Sequence, residues 1–234
     1  MPASSTEKLS FDSIEDSIEA FRNGEFIVVL DSPSRENEGD LIIAASDVTT
    51  EKMAFMIRHS SGYVCAPLPA DIIDALPLPQ MVASNQDPNR TSYTVTLDAA
   101  HDLTTTGISA HDRALTCRTL ASSSSTLADF RKPGHILPLR ARPGGVRERR
   151  GHTEAAVEFA RLAGKERSAG VICELVEDGE PVPGKAELIG SGMMRGEGCL
   201  KFGKKWGLKV CTIEDLVDYV ERTEGKLEGS NGRI

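Results

Sequence analysis

Asp31-Ser-Pro-Ser-Arg-Glu-Asn-Glu-Gly-Asp40 places Asp31, Glu36, Glu38 and Asp40 around one arginine, Arg35, within ten residues. Like charges crowded in this way repel unless a cation sits among them. Hard divalent cations favour such oxygen-rich sites. The same stretch also reads as an acidic, solvated hairpin loop, since loops are commonly polar.

A second segment carries the opposite sign. Residues 131–154 contain Arg140, Arg142, Arg147, Arg149 and Arg150 against Glu148, with His135 and His152 in the same segment. Gly151-His152-Thr153 stands just before a helical pattern, where backbone N–H groups and the dipole favour an anion. Arginine pairs with phosphate in bidentate geometry. A phosphorylated small molecule fits this segment, and so does a basic loop that only balances the acidic one. One histidine suits a metal ligand and the other an acid/base group, or either is a surface residue. Glu174 lies within the apolar run Val171-Ile-Cys-Glu-Leu-Val176, so it needs a partner, a raised pKa or a turn to solvent. Thr104-Thr-Thr-Gly-Ile-Ser109 offers hydroxyls before a helix, which capping alone explains. Cys65 is placed to line a pocket or to fill core, and His59, His101 and His111 read as surface or core residues.

The elements that must hold these groups follow from periodicity. Phe11, Ile14, Ile18 and Phe21 mark a helix over Ser13–Asn23, ended by Gly24. Phe26–Leu30 and Leu41–Ala45 read as buried strands on either side of the acidic loop. Thr49 or Thr50 caps a second helix that Gly62 ends; a strand over Tyr63–Ala66 precedes Pro67, and a short helix fits Asp71–Leu76. Ser92–Leu97 alternates as a strand. Ser109 and Asp112 form a capping-box pattern for a helix to Leu120. Ile136–Leu139 reads as a short edge piece, because Pro138 interrupts it. A helix from His152/Thr153 to Gly164, a strand over Gly170–Val176, a Gly- and Pro-rich surface excursion over 177–198, a strand over Leu208–Cys211 and a helix from Thr212 to Arg222 complete the chain. Residues 1–10 and those after Gly225 read as tails. Alternating strands and helices without a repeat predict one domain over 1–234, ordered over about 10–222: an α/β layered arrangement with helices on both faces of a sheet.

Composition narrows the function classes. The net charge of −8 and 5% aromatic content disfavour nucleic acid and anionic membranes as partners. No apolar run reaches the ~18 residues of a membrane span. The N-terminus lacks the apolar core of a secretory signal, so a cytoplasmic protein is expected. Five scattered cysteines, without a CxxC pair, argue against a disulfide framework or structural zinc.

Seven segments, in order, resemble the 3,4-dihydroxy-2-butanone 4-phosphate synthase family of riboflavin biosynthesis. They are Arg35-Glu-Asn-Glu-Gly-Asp40, Ile57-Arg-His-Ser-Ser-Gly62, Thr105-Thr-Gly-Ile-Ser-Ala-His-Asp-Arg113, Arg131-Lys-Pro-Gly-His135, Arg149-Arg-Gly-His-Thr-Glu-Ala155, Gly170-Val-Ile-Cys-Glu174 and Thr212-Ile-Glu-Asp-Leu216. The resemblance implies a three-layer α/β/α fold around a mixed sheet, a homodimer with sites near its interface, and conversion of D-ribulose 5-phosphate to L-3,4-dihydroxy-2-butanone 4-phosphate and formate. It implies Mg2+ (or Mn2+), two ions per site, with Glu36 and His152 as ligands. His135 and Glu174 match the catalytic pair. Arg35, Glu36, Asp40, Thr106, Arg149, Arg150, Gly151, His152, Thr153 and Glu174 match substrate-binding positions. Arg150 stands where the family pattern has glycine, and the connection over 178–203 is longer than usual. The chain length leaves no room for the GTP cyclohydrolase II domain often fused to this family, so a monofunctional protein is expected. Two other readings compete: a metal-dependent aldolase or isomerase acting on another sugar phosphate, and a non-catalytic binding module on a related fold.

Overall fold

The computed structural model describes residues 10–227; of the expected tails, residues 1–9 and 228–234 lie outside them. Strands β1 (Ile27–Leu30), β2 (Gly39–Ala44), β3 (Cys65–Leu68), β4 (Leu97–Ala99), β5 (Phe130–Arg140), β6 (Gly170–Glu174) and β11 (Lys209–Thr212) form one seven-stranded sheet in the order β11-β1-β2-β6-β3-β5-β4. β1 pairs β11 and β3 pairs β5 in parallel, while the β1–β2, β2–β6, β3–β6 and β4–β5 pairs are antiparallel. The sheet is therefore mixed, as expected. The helices are α1 (Ile14–Arg22), α2 (Thr50–His59), α3 (Ala70–Ala75), α4 (Ala110–Ala121), α5 (His152–Leu162), α6 (Gly196–Trp206) and α7 (Ile213–Glu224).

Strand alternation divides the core in two. Val28, Leu30, Leu41, Ile43, Val171 and Cys173 pack with residues of α2, α4 and α6. Ile27, Val29, Ile42, Ala44 and Ile172 pack with residues of α1, α5 and α7, including the Phe21–Phe159 ring pair at 5.9 Å. β1 and β2 thus bury both faces between helices, which is why they read as continuous apolar runs. Ser13, Thr49, Ser109 and Thr212 cap α1, α2, α4 and α7 through their side chains, as the sequence suggests.

Four expectations are corrected. The third strand is Cys65–Leu68 and contains Pro67. The amides of Leu137 and Ala141 donate to Val64 and Leu68, so the odd-numbered positions turn toward β6, which pairs only at Cys65. Proline's missing N–H therefore falls where that ladder has ended. Ser92–Leu97 is not a continuous strand; Tyr93 and Thr94 make single bridges and regular pairing begins at Leu97. Ile136–Leu139 belongs to an eleven-residue strand inside the sheet, not at its edge. The excursion ends in a helix, α6, that glycine conceals. A Cβ at Gly203 would overlap the Val210 side chain, so glycine there lets α6 lie directly on β11. The rest of the excursion forms two small ribbons, β7 (Val176–Glu177) with β10 (Gly192–Met193) and β8 (Glu180–Pro181) with β9 (Leu188–Ile189).

Candidate active site

The acidic loop joins β1 to β2 and is shaped by its own first residue. Asp31 Oδ2 accepts from Arg35 Nη1 at 2.8 Å and from the Glu36 amide at 3.0 Å, while Oδ1 accepts from the Glu38 amide at 2.8 Å. Burial works to raise the Asp31 pKa, but the Glu38 N–H, nearby His152, Arg35 and the Glu36 N–H outweigh it and hold the carboxyl below its ordinary range. Arg35 also pairs with Glu36. Glu36 remains half-buried, and burial raises its pKa despite that arginine.

His152 opens α5 and reaches back over the sheet. Its Nε2 lies 3.2 Å from the Val29 carbonyl, which can only accept, so Nε2 carries the proton and Nδ1 presents a lone pair. Nδ1 faces Asp40 Oδ1 at 3.5 Å and Glu36 Oε2 at 4.0 Å. Burial lowers the His152 pKa to about 4, so the ring is neutral near pH 7 and these contacts are not salt bridges. Asp40 is 1% exposed, and its Oδ1 has no hydrogen-bond partner. Burial, then the charges of Glu174, Glu36 and Asp31, push its pKa well above the carboxylate range. Two acceptors facing each other inside a negative pocket need a proton or a cation between them. Asp31, Glu36 and His152 each offer a ligand atom within 4.8 Å of the others. This set of carboxylate oxygens plus one imidazole nitrogen fits a divalent cation such as Mg2+ or Mn2+.

Strand register extends the site across the sheet. Asp40 pairs with Glu174, and Ile172 and Leu137 both pair with Cys65. Two residues further along, Glu174, Tyr63 and His135 come level at one end of the sheet. By alternation Glu174 and Tyr63 share the face that packs against α5. Ser61 Oγ donates to Glu174 Oε2 at 3.1 Å. His135 is two strand spacings from Glu174, about 10 Å. The group of possible metal ligands among the described residues is Asp31, Glu36 and His152, without His135.

The arginine segment is largely committed to structure. Arg140 pairs with Asp74, and Arg147 with Glu224 and the Gly225 carbonyl. Arg149 donates to Glu154 Oε2 at 2.5 Å, to the Asn89 carbonyl at 3.1 Å and to Thr91 Oγ1 at 3.0 Å. Arg150 and Thr106 are exposed, Thr153 is buried in the first turn of α5, and Gly151 is its N-cap. Two residues with a part here carry no signal in the sequence, and a third carries only a weak one. Asn89 donates to Glu36 Oε1 at 2.5 Å and so links the acidic loop to Arg149. Asp98 grips His135. Asp31 was visible only as one acid among four, and its position at the end of β1 was the available signal.

Comparison with known proteins identifies the family. Residues 15–219 match the model of the 3,4-dihydroxy-2-butanone 4-phosphate synthase family. The synthase of Pyricularia oryzae is 62% identical over 233 residues, 99% of each chain, and that of Saccharomyces cerevisiae is 50% identical, covering 91% of this chain and 100% of the relative. A crystal structure of a 3,4-dihydroxy-2-butanone 4-phosphate synthase in complex with two magnesium ions superposes with a TM-score of 0.91 at 63% identity, covering 93% of this chain and 100% of that one. A cation-free form of such a synthase gives 0.87 at 61% identity, covering 92% of this chain and 100% of that one. The chain therefore belongs to the 3,4-dihydroxy-2-butanone 4-phosphate synthase family.

Proposed function

We propose that this chain converts D-ribulose 5-phosphate to L-3,4-dihydroxy-2-butanone 4-phosphate and formate, supplying the four-carbon unit for riboflavin. The observation that carries the reading is the pair of facing acceptors, Asp40 Oδ1 and His152 Nδ1, beside Glu36 in a buried negative pocket. Glu36 and His152 would hold Mg2+ (or Mn2+), two ions per site. When bound, the cation stabilises the negative charge that develops on substrate oxygens as a carbon-bound proton leaves.

The chain's own residues divide the remaining work. Glu174, held by Ser61 and level with Asp40, is placed to take and return protons, and His135 is the second acid/base group. Asp40 binds or deprotonates a sugar hydroxyl. Arg35 binds substrate at the acidic loop, and Arg149, Arg150, Gly151 and Thr153 do so around the start of α5, where the N–H groups of a first helical turn suit phosphate. Thr106 contributes from the loop before α4.

The working form is a homodimer. Because His135 stands about 10 Å from Glu174 by strand spacing, a second copy that brings its own His135 to this chain's Glu36–His152 cluster completes the site. The five cysteines are all buried and free, which suits the reducing cytoplasm. Among the described residues no helix is long and apolar enough to cross a membrane.

The test is incubation of the purified protein with D-ribulose 5-phosphate, with and without Mg2+, following formate. Magnesium-dependent formate is expected. A two- or three-carbon fragment would instead indicate an aldolase.

A further inference from the structure

His135 sits on an irregular stretch of β5. Pairing with β4 jumps from Leu97↔Ile136 to Asp98↔Arg131, so residues 132–135 bulge out of register. Bulges re-aim side chains and recur beside active sites. Thr96 Oγ1 accepts the Gly134 N–H at 3.0 Å, and one carboxylate holds His135 itself. Asp98, 8% exposed, accepts the His135 backbone N–H on Oδ1 at 2.8 Å and faces His135 Nδ1 with Oδ2 at 2.8 Å.

A roof closes over the pair. Gly107 has a φ of +93°, and a Cβ there would overlap both Asp98 Oδ2 and His135 Nδ1. Glycine is required for this approach as well as for the backbone conformation. The roof is held by fully buried Asp112, which accepts from the Thr105 amide at 3.2 Å, Thr105 Oγ1 at 2.7 Å and the Gly107 amide at 3.0 Å.

We infer that Asp98 is a positioning residue for the reaction: it fixes His135 in the Nδ1–H tautomer and leaves the Nε2 lone pair directed outward as the working base. Asp98 Oδ1 already accepts the backbone N–H, and a carboxylate oxygen facing a ring nitrogen accepts from it, so Nδ1 carries the hydrogen. The imidazole itself is 39% exposed, so its far edge is open to a reacting group. The grip on the backbone N–H also fixes the bulge from which the ring projects. This inference rests on His135 acting in proton transfer, as proposed above.

The test begins with the intact protein, saturated with Mg2+ and carrying 15N-labelled histidine. Long-range proton–nitrogen spectra should show His135 with a protonated Nδ1 and a bare Nε2. A ring protonated on Nε2 alone would overturn the inference without any variant. Asp98→Asn is the second arm. Its side-chain oxygen still accepts the His135 N–H, so its amide nitrogen must donate to the ring and reverse the tautomer. The expected result is a reversed ring signal and a fall in kcat of about 100- to 10,000-fold with KM little changed. A reversed tautomer with kcat within about threefold of the original overturns the positioning role. Failure of the function reading looks different: the unaltered protein would release no formate, or His135→Gln would release it at the full rate.

Discussion

Asn89 Nδ2 lies 2.5 Å from Glu36 Oε1, while the Asn89 carbonyl accepts from Arg149 Nε at 3.1 Å. One residue, from a loop with no regular structure, therefore joins the acidic loop to the arginine segment. With Oε1 held by Asn89 and Oε2 by Arg35, Glu36 keeps Oε2 4.0 Å from His152 Nδ1. Asn89→Ala releases Oε1 and leaves the Glu36 carboxylate held by Arg35 alone. It should weaken Mg2+ binding by about 10- to 100-fold, the usual cost of losing a ligand's hydrogen-bonding partner. Isothermal titration with Mg2+ reads this directly, and unchanged affinity would show that Asn89 only braces the loop.

Asp40 should cost the metal-free protein stability. Its Oδ1 is buried without a partner and faces a second acceptor. In Asp40→Asn the amide can donate to His152 Nδ1, removing an unsatisfied group worth about 1–3 kcal/mol. At about 2–4 °C per kcal/mol for a chain of this size, the melting temperature in EDTA should rise by several degrees. The rise that Mg2+ binding should give the unaltered protein should shrink or vanish.

The signs with pH follow from the two shifts. His152 is held to about 4, so the folded state resists a proton that the unfolded chain accepts near 6.5. That penalty is absent above about 6.5 and grows as pH falls toward 4. Asp40, raised by burial, acts in reverse: its penalty appears as pH rises above its unfolded value. Thermal melts of His152→Gln in EDTA should accordingly lose part of the decline between about pH 6.5 and 4. A decline of undiminished size would assign it to other groups.

Gly203→Ala should destabilise the protein by about 1–3 kcal/mol through overpacking, although alanine favours helix. The added methyl would meet the Val210 side chain, and the Leu208 carbonyl stands 3.1 Å away. In the Gly203→Ala/Val210→Ala double variant the two costs should fall short of additive by more than about 0.5 kcal/mol in urea melts. Strict additivity would mean that α6 and β11 adjust independently.

Most of the scaffold was legible because local and global signals agree. The caps at Ser13, Thr49, Ser109 and Thr212 and the apolar runs of β1 and β2 each point to the element that forms. The failures have physical causes. Pro67 and Pro138 looked like strand breakers, but each sits where no ladder bond is needed. α6 was missed because Gly196, Gly198 and Gly203 lower helix propensity in a helix that tertiary packing supports. In the site, Glu36, Asp40 and His152 were visible as chemistry-bearing residue types, and the structure brings them together. Asn89 and Asp98 were not, because their importance lies in contacts 53 and 37 residues away along the chain, which no local pattern encodes.

A shared site makes a quantitative prediction. His135→Gln and Glu174→Gln homodimers should each be nearly inactive. After unfolding and refolding as an equal mixture, half the dimers should be mixed, each with one intact site. Activity should then return to about one quarter of the original, on the isologous geometry of a two-fold dimer. No recovery, with mixed dimers demonstrated by mass, would place both groups of each site in one chain.

The most direct measurement is formate released per D-ribulose 5-phosphate consumed, for the unaltered protein with Mg2+, the same protein in EDTA, and Glu174→Gln with Mg2+. The account predicts about one formate per sugar phosphate in the first case, the ratio set by splitting five carbons into four plus one, and essentially none in the other two. Undiminished release in EDTA, or by Glu174→Gln, would contradict it.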